Sequence, residues 1–470
     1  MRKAVLPAAL LLLATGRVPL ALAQDLPAAP QRPAIGLNRW QEDWSVLADP
    51  ALRTEPLDAL KYIPLGAGAS PAWLSLGGGL RERIETNHAP LFHTVAGLAD
   101  TYLLSRLELH GDVRAGPFQA FVQLQSDFAP GKQRRTMVDA DRLGLEQGFV
   151  ALVAPLGHGT IKLRAGRQQF AFDLQRFVAV RDGPNVRQSF DALWADFEAG
   201  RWRLIGYYTQ PVINRDGHAF DDFSSAKLRF FGARIERQVL GRNELSAYWS
   251  RYDNRSAAYA FAAGAERRDV WDVRFAGKAA NGTDALDWDA EAMAQTGRIA
   301  ARAIRAWAAG ARIGYTVAGW PGGPRLGVQI DAASGNRHGA AGAYGTFNPL
   351  FPNGDYVNLA GYTGYANLVH AKGALTLHPT KRIKLLAAGA AQWRMTGADA
   401  VYAQPNVPVP RSAGQPGLWT GAYGQARSDV TISPRLSAAL EFDHFNVGST
   451  LRAINARDSD YLGVEAKFQW

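Results

Sequence analysis

The 470-residue sequence is 47% hydrophobic, and no run of about 18 consecutive apolar residues follows its first segment, which excludes a membrane-spanning helix there. It has no Cys, which excludes a disulfide framework and a metal–thiolate site. The 52 basic and 42 acidic side chains give a formal charge of +10, but Lys and Arg are scattered singly, without the basic clusters interleaved with aromatics that bind nucleic acid.

In chain order, Met1-Arg2-Lys3 is followed by an apolar stretch from Ala4 to Leu13 and by the small-x-small end Ala21-Leu22-Ala23. This pattern predicts a secretory signal peptide over residues 1–23. Its removal takes away Arg2, Lys3 and Arg17 and leaves +7. Residues 24–72 begin extended at Pro27, Pro30 and Pro33. Asp49-Pro50 and Glu55-Pro56 then interrupt any long helix. The expectation is a periplasmic lead-in with one or two helical turns.

Residues 73–470 repeat one unit, a segment of about 10 residues with alternating polarity, closed by Gly, Pro, Asn or Asp. Phe118, Ala120, Val122 and Leu124 alternate with Gln119, Phe121, Gln123 and Gln125. Leu436, Ala438, Leu440 and Phe442 alternate with Ser437, Ala439, Glu441 and Asp443. Successive strand side chains point to opposite faces, so each segment has one apolar and one polar face. A soluble sandwich would show the same alternation. Two features favour a barrel with its apolar face outward. Short links (Arg114–Gly116, Leu156–Gly159, Gly241-Arg242) alternate with long ones (Ala129–Gly144, Gln169–Phe190, Gly335–Tyr365, Gly397–Leu418). The last segment also alternates through Leu462, Val464, Ala466 and Phe468 to a terminal Trp470, the form of an outer-membrane assembly signal.

The fold class expected is therefore all-β: a transmembrane antiparallel β-barrel of about 18 strands, with short periplasmic turns and long extracellular loops, in the outer membrane of a Gram-negative bacterium. Strand starts are predicted near Leu74, Tyr102, Pro117, Leu145, Thr160, Ala192, Arg201, Lys227, Glu244, Arg268, Leu286, Arg305, Arg325, Asn367, Arg382, Tyr423, Leu436 and Asp460. Trp73, Trp202, Trp249, Trp271, Trp307, Trp393 and Trp470 are candidates for interfacial girdles. Parity then sorts the charges. If Leu74, Leu76 and Leu80 face lipid, Arg81, Arg83 and Glu85 face the lumen. Arg106, Glu108 and His110, Lys162 and Arg164, Arg201 and Arg203, Lys227 and Arg229, and Arg274 follow, with Asp127, Asp272, Asp289 and Glu291 as opposing acids. A lipid-facing Arg at mid-depth would cost about 2–4 kcal/mol.

No HExxH or GxSxG pattern is present, and His88, His93, His370 and His378 lack metal-ligand spacing. The expectation is a non-enzymatic protein with no catalytic residue, cofactor or metal. Gly77-Gly78-Gly79 reads as strand glycine that opens or bends the wall, not as a phosphate loop.

Several stretches resemble the alginate export family of outer-membrane proteins. They are Asp58–Leu65 ahead of the strand Leu74–Glu85, Leu163–Phe170 leading to Arg181-Asp182-Gly-Pro-Asn185-Val-Arg187-Gln-Ser-Phe190-Asp191, and Asn348-Pro-Leu-Phe-Pro352 with Asn367-Leu368. The resemblance runs over essentially the whole mature chain. It implies an 18-stranded barrel with an arginine-lined constriction, passing an anionic polysaccharide received from periplasmic export machinery. It also implies that the segment with Arg181, Asp182, Arg187 and Asp191 folds into the lumen. The conduit candidates are Arg81, Arg83, Arg106, Lys162, Arg164, Arg181, Arg187 and Asp191. For Arg187 and Asp191, an ion pair stiffening the loop is an equal reading, and rim arginines could instead hold lipopolysaccharide. The alternatives are an anion-selective uptake porin for small acidic sugars or aromatic carboxylates, and a structural barrel with a closed lumen.

Overall fold

A computed structural model describes residues 32–66, 72–96, 100–239 and 243–470. The expected signal peptide and the Gly241-Arg242 link lie outside the described residues. One antiparallel sheet of 19 strands holds the molecule together. One of these is the two-residue strand Ile63–Pro64, laid on Trp73 and Leu74, which leaves a barrel of 18. In order the barrel strands are β1 (Ala72–Asn87), β2 (Asp100–Ala115), β3 (Phe118–Phe128), β4 (Asp141–Leu156), β5 (Gly159–Gln168) and β6 (Phe190–Ala199). β7 (Trp202–Pro211), β8 (Leu228–Val239), β9 (Asn243–Tyr259), β10 (Ala262–Asn281), β11 (Asp284–Ile299) and β12 (Arg302–Thr316) follow. The circuit ends with β13 (Arg325–Ala333), β14 (Leu368–Thr380), β15 (Ile383–Trp393), β16 (Trp419–Thr431), β17 (Leu436–Val447) and β18 (Ser459–Gln469).

Each strand pairs with the next in sequence, and β18 closes on β1 in a register from Gly79↔Gln469 to Asn87↔Tyr461. Closure removes both free edges, so every strand backbone in the wall has a partner, as hydrocarbon requires. The faces are inverted relative to a soluble protein. Ile84, Leu107, Leu109, Val150, Leu193, Val273, Leu326, Ile330 and Leu440 are exposed on the outside. Arg81, Arg106, Glu108, Gln123, Asp127, Asp272, Gln329, His370 and Asp443 are buried within. Trp202, Trp271, Trp307 and Trp393 are exposed on the outer surface, where a girdle needs them. Trp73 is an exception. It is only 5% exposed and stacks on Tyr62 at 5.4 Å, so it serves the N-terminal segment rather than a lipid interface.

Short turns cluster at the end where β1 begins and β18 finishes, the periplasmic end of such barrels. Residues 88–96 and the long connections 129–140, 169–189, 212–227, 334–367, 394–418 and 448–458 all lie at the other end. Arg201 and Lys227, expected on strands, fall instead in turns.

Residues 32–66 carry four 3₁₀ turns rather than one or two, and they enter the periplasmic mouth. Arg39 donates to the carbonyls of Gly78 (3.2 Å) and Trp470 (2.7 Å). Trp40 sits edge-on to Phe149, with the Arg164 guanidinium 4.3 Å above its ring, and Arg114 and Gln119 hold its carbonyl. Gly77 is needed here, because a Cβ would run into the His110 ring and the Lys61 ammonium. Trp40→Ala removes an aromatic contact and a cation–π contact worth about 1–2 kcal/mol together. It is expected to free this strap from the mouth and raise single-channel conductance.

Lys61 Nζ is buried between Trp44 (5.1 Å) and Trp470 (5.3 Å) without a hydrogen-bond acceptor. Burial first, and then the nearby Arg39, lower its ammonium from 10.5 to about 7. With a folded value below the unfolded one, the docked strap binds fewer protons than the free strap between these limits. Docking should therefore strengthen as pH rises from about 7 toward 10.5. Lys61→Met should abolish that dependence, read as protease protection of residues 32–66 across pH.

Candidate functional site: a lumen narrowed from one side

Loops 169–189 and 334–367 fold inward instead of outward. Their backbones pair inside the barrel: Ala179 N donates to Phe351 O (2.8 Å), Phe351 N to Phe177 O (3.0 Å) and Asn353 N to Gln175 O (2.9 Å). The apolar side chains they carry need a dry surface, and the inner faces of neighbouring strands supply one. Phe170, Phe172, Phe177, Phe347 and Phe351 pack with Phe190, Trp194, Tyr207, Phe230, Tyr248 and Tyr252 in one buried cluster. This aromatic filling occupies the lumen along β6–β10, so the open path is eccentric.

The second attachment is polar. Arg106, fully buried, donates to the carbonyls of Asp182, Pro184 and Asn185 and pairs with the Asp182 carboxylate at 2.6 Å. Arg81 donates to the carbonyls of Asp182 and Pro184 and to Asn185 Oδ1. Asn185 Nδ2 in turn donates to the carbonyls of Ser105, Phe128 and Asp139. Arg187 bridges Asp182 and Glu108. Burial by itself would push the Asp182 carboxyl up, but Arg187 and Arg106 together hold it well below the usual carboxylate range. The stretch Arg181–Arg187, which carried the family resemblance, is thus a clasp that rivets the inward loop to β1 and β2.

What remains open is a cavity of about 1060 Å³ bounded by β1, β2, β12–β18 and the inner edges of both loops. Nine basic and seven acidic side chains line it, a balance too even to set a selectivity by number. Pairing decides it. Glu85, Glu441 and Glu465 are clasped by Arg83, Asp139 by Lys132, Asp182 by Arg106 and Arg187, and Asp429 by Arg427. Only Asp355 has no ion-pair partner among the described residues. Arg81, Arg181, Arg312, Lys372 and Lys384 are the lining cations without an ion-paired carboxylate among those residues, and of these Arg81 is engaged by the clasp carbonyls. Burial lowers the Arg181 guanidinium to about 10, so it stays charged at neutral pH. Arg312 lies 4.5 Å over the Tyr356 ring, and Lys372 donates to the carbonyl of Val357 at 3.0 Å. The register Arg312↔Gln329↔Lys372 places these two cations side by side across β12, β13 and β14.

Of the eight conduit candidates from the sequence, Arg81, Arg83 and Arg181 line this cavity. Arg106 and Arg187 lie behind the clasp. Arg164 is covered by Trp40 and Trp194, Lys162 pairs with Glu198 at 2.9 Å, and Asp191 pairs with Arg167 at 2.8 Å. The Arg187–Asp191 pair considered from sequence does not form; Asp191 points across β6 to β5, while Arg187 turns to β2. Arg312, Lys372 and Lys384 were missed. The signal was available, since Arg312 alternates with Ala311 and Ile313, and Lys372 with Ala371 and Gly373.

A closed barrel with an apolar exterior, a polar lumen and a loop-narrowed path is an outer-membrane channel. The chain belongs to the alginate export family: the family profile described as alginate export matches residues 72–465. A search of curated proteins gave no sequence match. The fold is similar to that of the outer membrane protein OpdK from Pseudomonas aeruginosa, at 10% identity and a TM-score of 0.55, covering 84% of this chain and 99% of that one. It is also similar to Pseudomonas aeruginosa OccD3 (OpdP), at 11% identity and a TM-score of 0.56, covering 87% and 93%. A BenF-like porin from Pseudomonas fluorescens is similar at 11% identity and a TM-score of 0.55, covering 84% and 99%. At these identities the likeness describes the fold.

Proposed function

We propose that this channel passes an anionic polysaccharide of the alginate type outward across the outer membrane, without catalysing a reaction. The observation that carries the reading is the set of unpaired lumen cations, Arg181, Arg312, Lys372 and Lys384, on a wall whose other charges are mostly neutralised. A polyuronate bears one carboxylate per sugar, so it needs repeated weak cationic contacts rather than one deep site. Arg312 and Lys372, on β12 and β14 with only β13 between them, offer such contacts, and the guanidinium can take a carboxylate two-point fashion. Membership of the alginate export family supports the same substrate class. The strap at the periplasmic mouth stands where upstream machinery would deliver polymer.

A second reading is uptake of small acids. It is favoured by the aromatic filling of one side of the lumen, which narrows the path, and by the similar fold of OpdK, a structure of which was solved with vanillate. Deleting the gene in its host separates the two. Loss of secreted uronic acid with polymer trapped in the periplasm supports export. Unchanged secretion with slower growth on uronate oligomers or aromatic carboxylates supports uptake and overturns the first reading.

A further inference from the structure

Beside the aromatic filling, three carboxylates that no sequence spacing connects come together on the lumen side. Asp173 belongs to the inward loop, Asp272 to β10 and Glu291 to β11, and one ligand oxygen from each lies within 4.8 Å of the others. Their surroundings hold positive charge, but not enough of it. Arg234 takes both oxygens of Asp173, at 2.6 and 2.7 Å, and Arg274 adds a contact at 2.9 Å. Arg176 reaches Glu291 at 2.6 Å and Asp289 at 3.0 Å, and Arg274 also pairs with Glu244 and Asp289. Five carboxylates (Asp173, Asp272, Glu291, Asp289 and Glu244) thus face three guanidiniums.

The shortfall falls on Asp272. It is 3% exposed, no ion pair reaches it among the described residues, and both of its carboxylate oxygens are buried without a hydrogen-bond donor. A buried carboxylate with neither oxygen satisfied is strongly disfavoured, because its desolvation is not offset. The arrangement requires a cation or a proton at the point where the three groups converge.

We propose that Asp173, Asp272 and Glu291 form a binding site for a divalent cation of the calcium type, which ties the inward loop to the barrel wall. The ligands are all carboxylate oxygens, the set that hard cations take, and no nitrogen or sulfur donor is among them. Oxygens on opposite sides of a calcium ion stand about 5 Å apart, which accommodates the observed spacing, whereas magnesium demands a tighter octahedron. Glu291 and Asp173 keep lone pairs beyond those their arginines use, and Asp272 supplies the charge that the arginines leave unmatched. The cation would act at the opposite side of the loop from the Arg81–Arg106 clasp, so that the constriction is fastened at both flanks.

Terbium luminescence on the refolded full-length protein tests the site. Tyr248 is the register partner of Asp272, close enough to sensitise a bound Tb³⁺. Excitation of tyrosine is expected to give saturable Tb³⁺ emission that calcium displaces, and calcium should slow proteolysis of loop 169–189. Asp272→Asn should weaken Tb³⁺ binding by more than about tenfold, because affinity follows the ligand charge count. Glu291→Gln should do the same, and it serves where Asp272→Asn fails to refold as judged by heat-modifiable gel mobility. Absence of saturable emission from the unsubstituted protein, or binding by the refolded variants as tight as that of the unsubstituted protein, would overturn the proposal and leave a proton shared within the triad.

Discussion

Replacing Arg312, Lys372 and Lys384 together with Glu should invert the ion preference of the channel. These side chains line the open lumen and none forms an ion pair among the described residues; Asp429, the register partner of Lys384, is taken by Arg427, so the field they make is only partly cancelled locally. A unit charge about 4 Å from a passing ion contributes on the order of 1–4 kcal/mol between the water-like and protein-surface dielectric limits. The three substitutions change the wall by six charge units, enough to overwhelm Arg181 and to join the single unpaired acid, Asp355. The expected result is a change in the sign of the zero-current potential across a salt gradient. Lys162→Gln is the matched control. Lys162 pairs with Glu198 and does not line the cavity, so its loss should leave the potential where it was. An unchanged sign in the triple variant would place the ion path elsewhere.

The second large effect is expected at Arg106. It is fully buried, lies 3.8 Å from the equally buried Asp127, and holds three carbonyls and a carboxylate of the clasp. Arg106→Ala leaves Asp127 uncompensated, a loss of about 3–5 kcal/mol for a broken buried pair. The barrel ladders do not depend on this residue, so strands should still form while loop 182–187 detaches. The readouts are a lowered urea midpoint in lipid vesicles, new protease cleavage within Arg181–Arg187, and larger, noisier single-channel currents. The clasp should also resist acid. Because Asp182 is held well below the usual carboxylate range, its contribution is present at neutral pH and lost only as pH falls through that depressed value. Loop closure should therefore be constant from neutral to mildly acidic pH, unlike the strap held by Lys61.

The strands were legible because a period of two needs only local sequence. All 18 expected starts correspond to a barrel strand, and the largest displacement, Arg268 against an observed Ala262, has a local cause. Residues 262–265 read Ala-Ala-Gly-Ala, in which small side chains show no polarity contrast. Side-chain parity was legible for the same reason, placing Arg81, Arg83, Arg106 and Glu108 inward. What each inward charge does was not legible. Besides Glu85, two acids that neutralise Arg83 lie 358 and 382 residues away, brought beside it only by closure of the barrel. A lumen arginine and a conduit arginine look alike in sequence, and only pairing distinguishes them. The filling of the lumen was equally hidden. Phe347, Phe351, Tyr356 and Tyr365 have no periodicity, since an irregular loop buries side chains wherever its path happens to touch the wall. The strap gave a misleading cue, because Trp73 stands at a strand end like a girdle residue yet faces inward.

Under the proposed function, anions cross through the eccentric lumen along the unpaired cations. Its most direct test is the current through single refolded channels in a planar bilayer, first in a salt gradient and then with alginate fragments of increasing length. Anion selectivity, with block that deepens as the fragments lengthen, is the predicted result. A cation-selective or unselective current that alginate leaves untouched would contradict it.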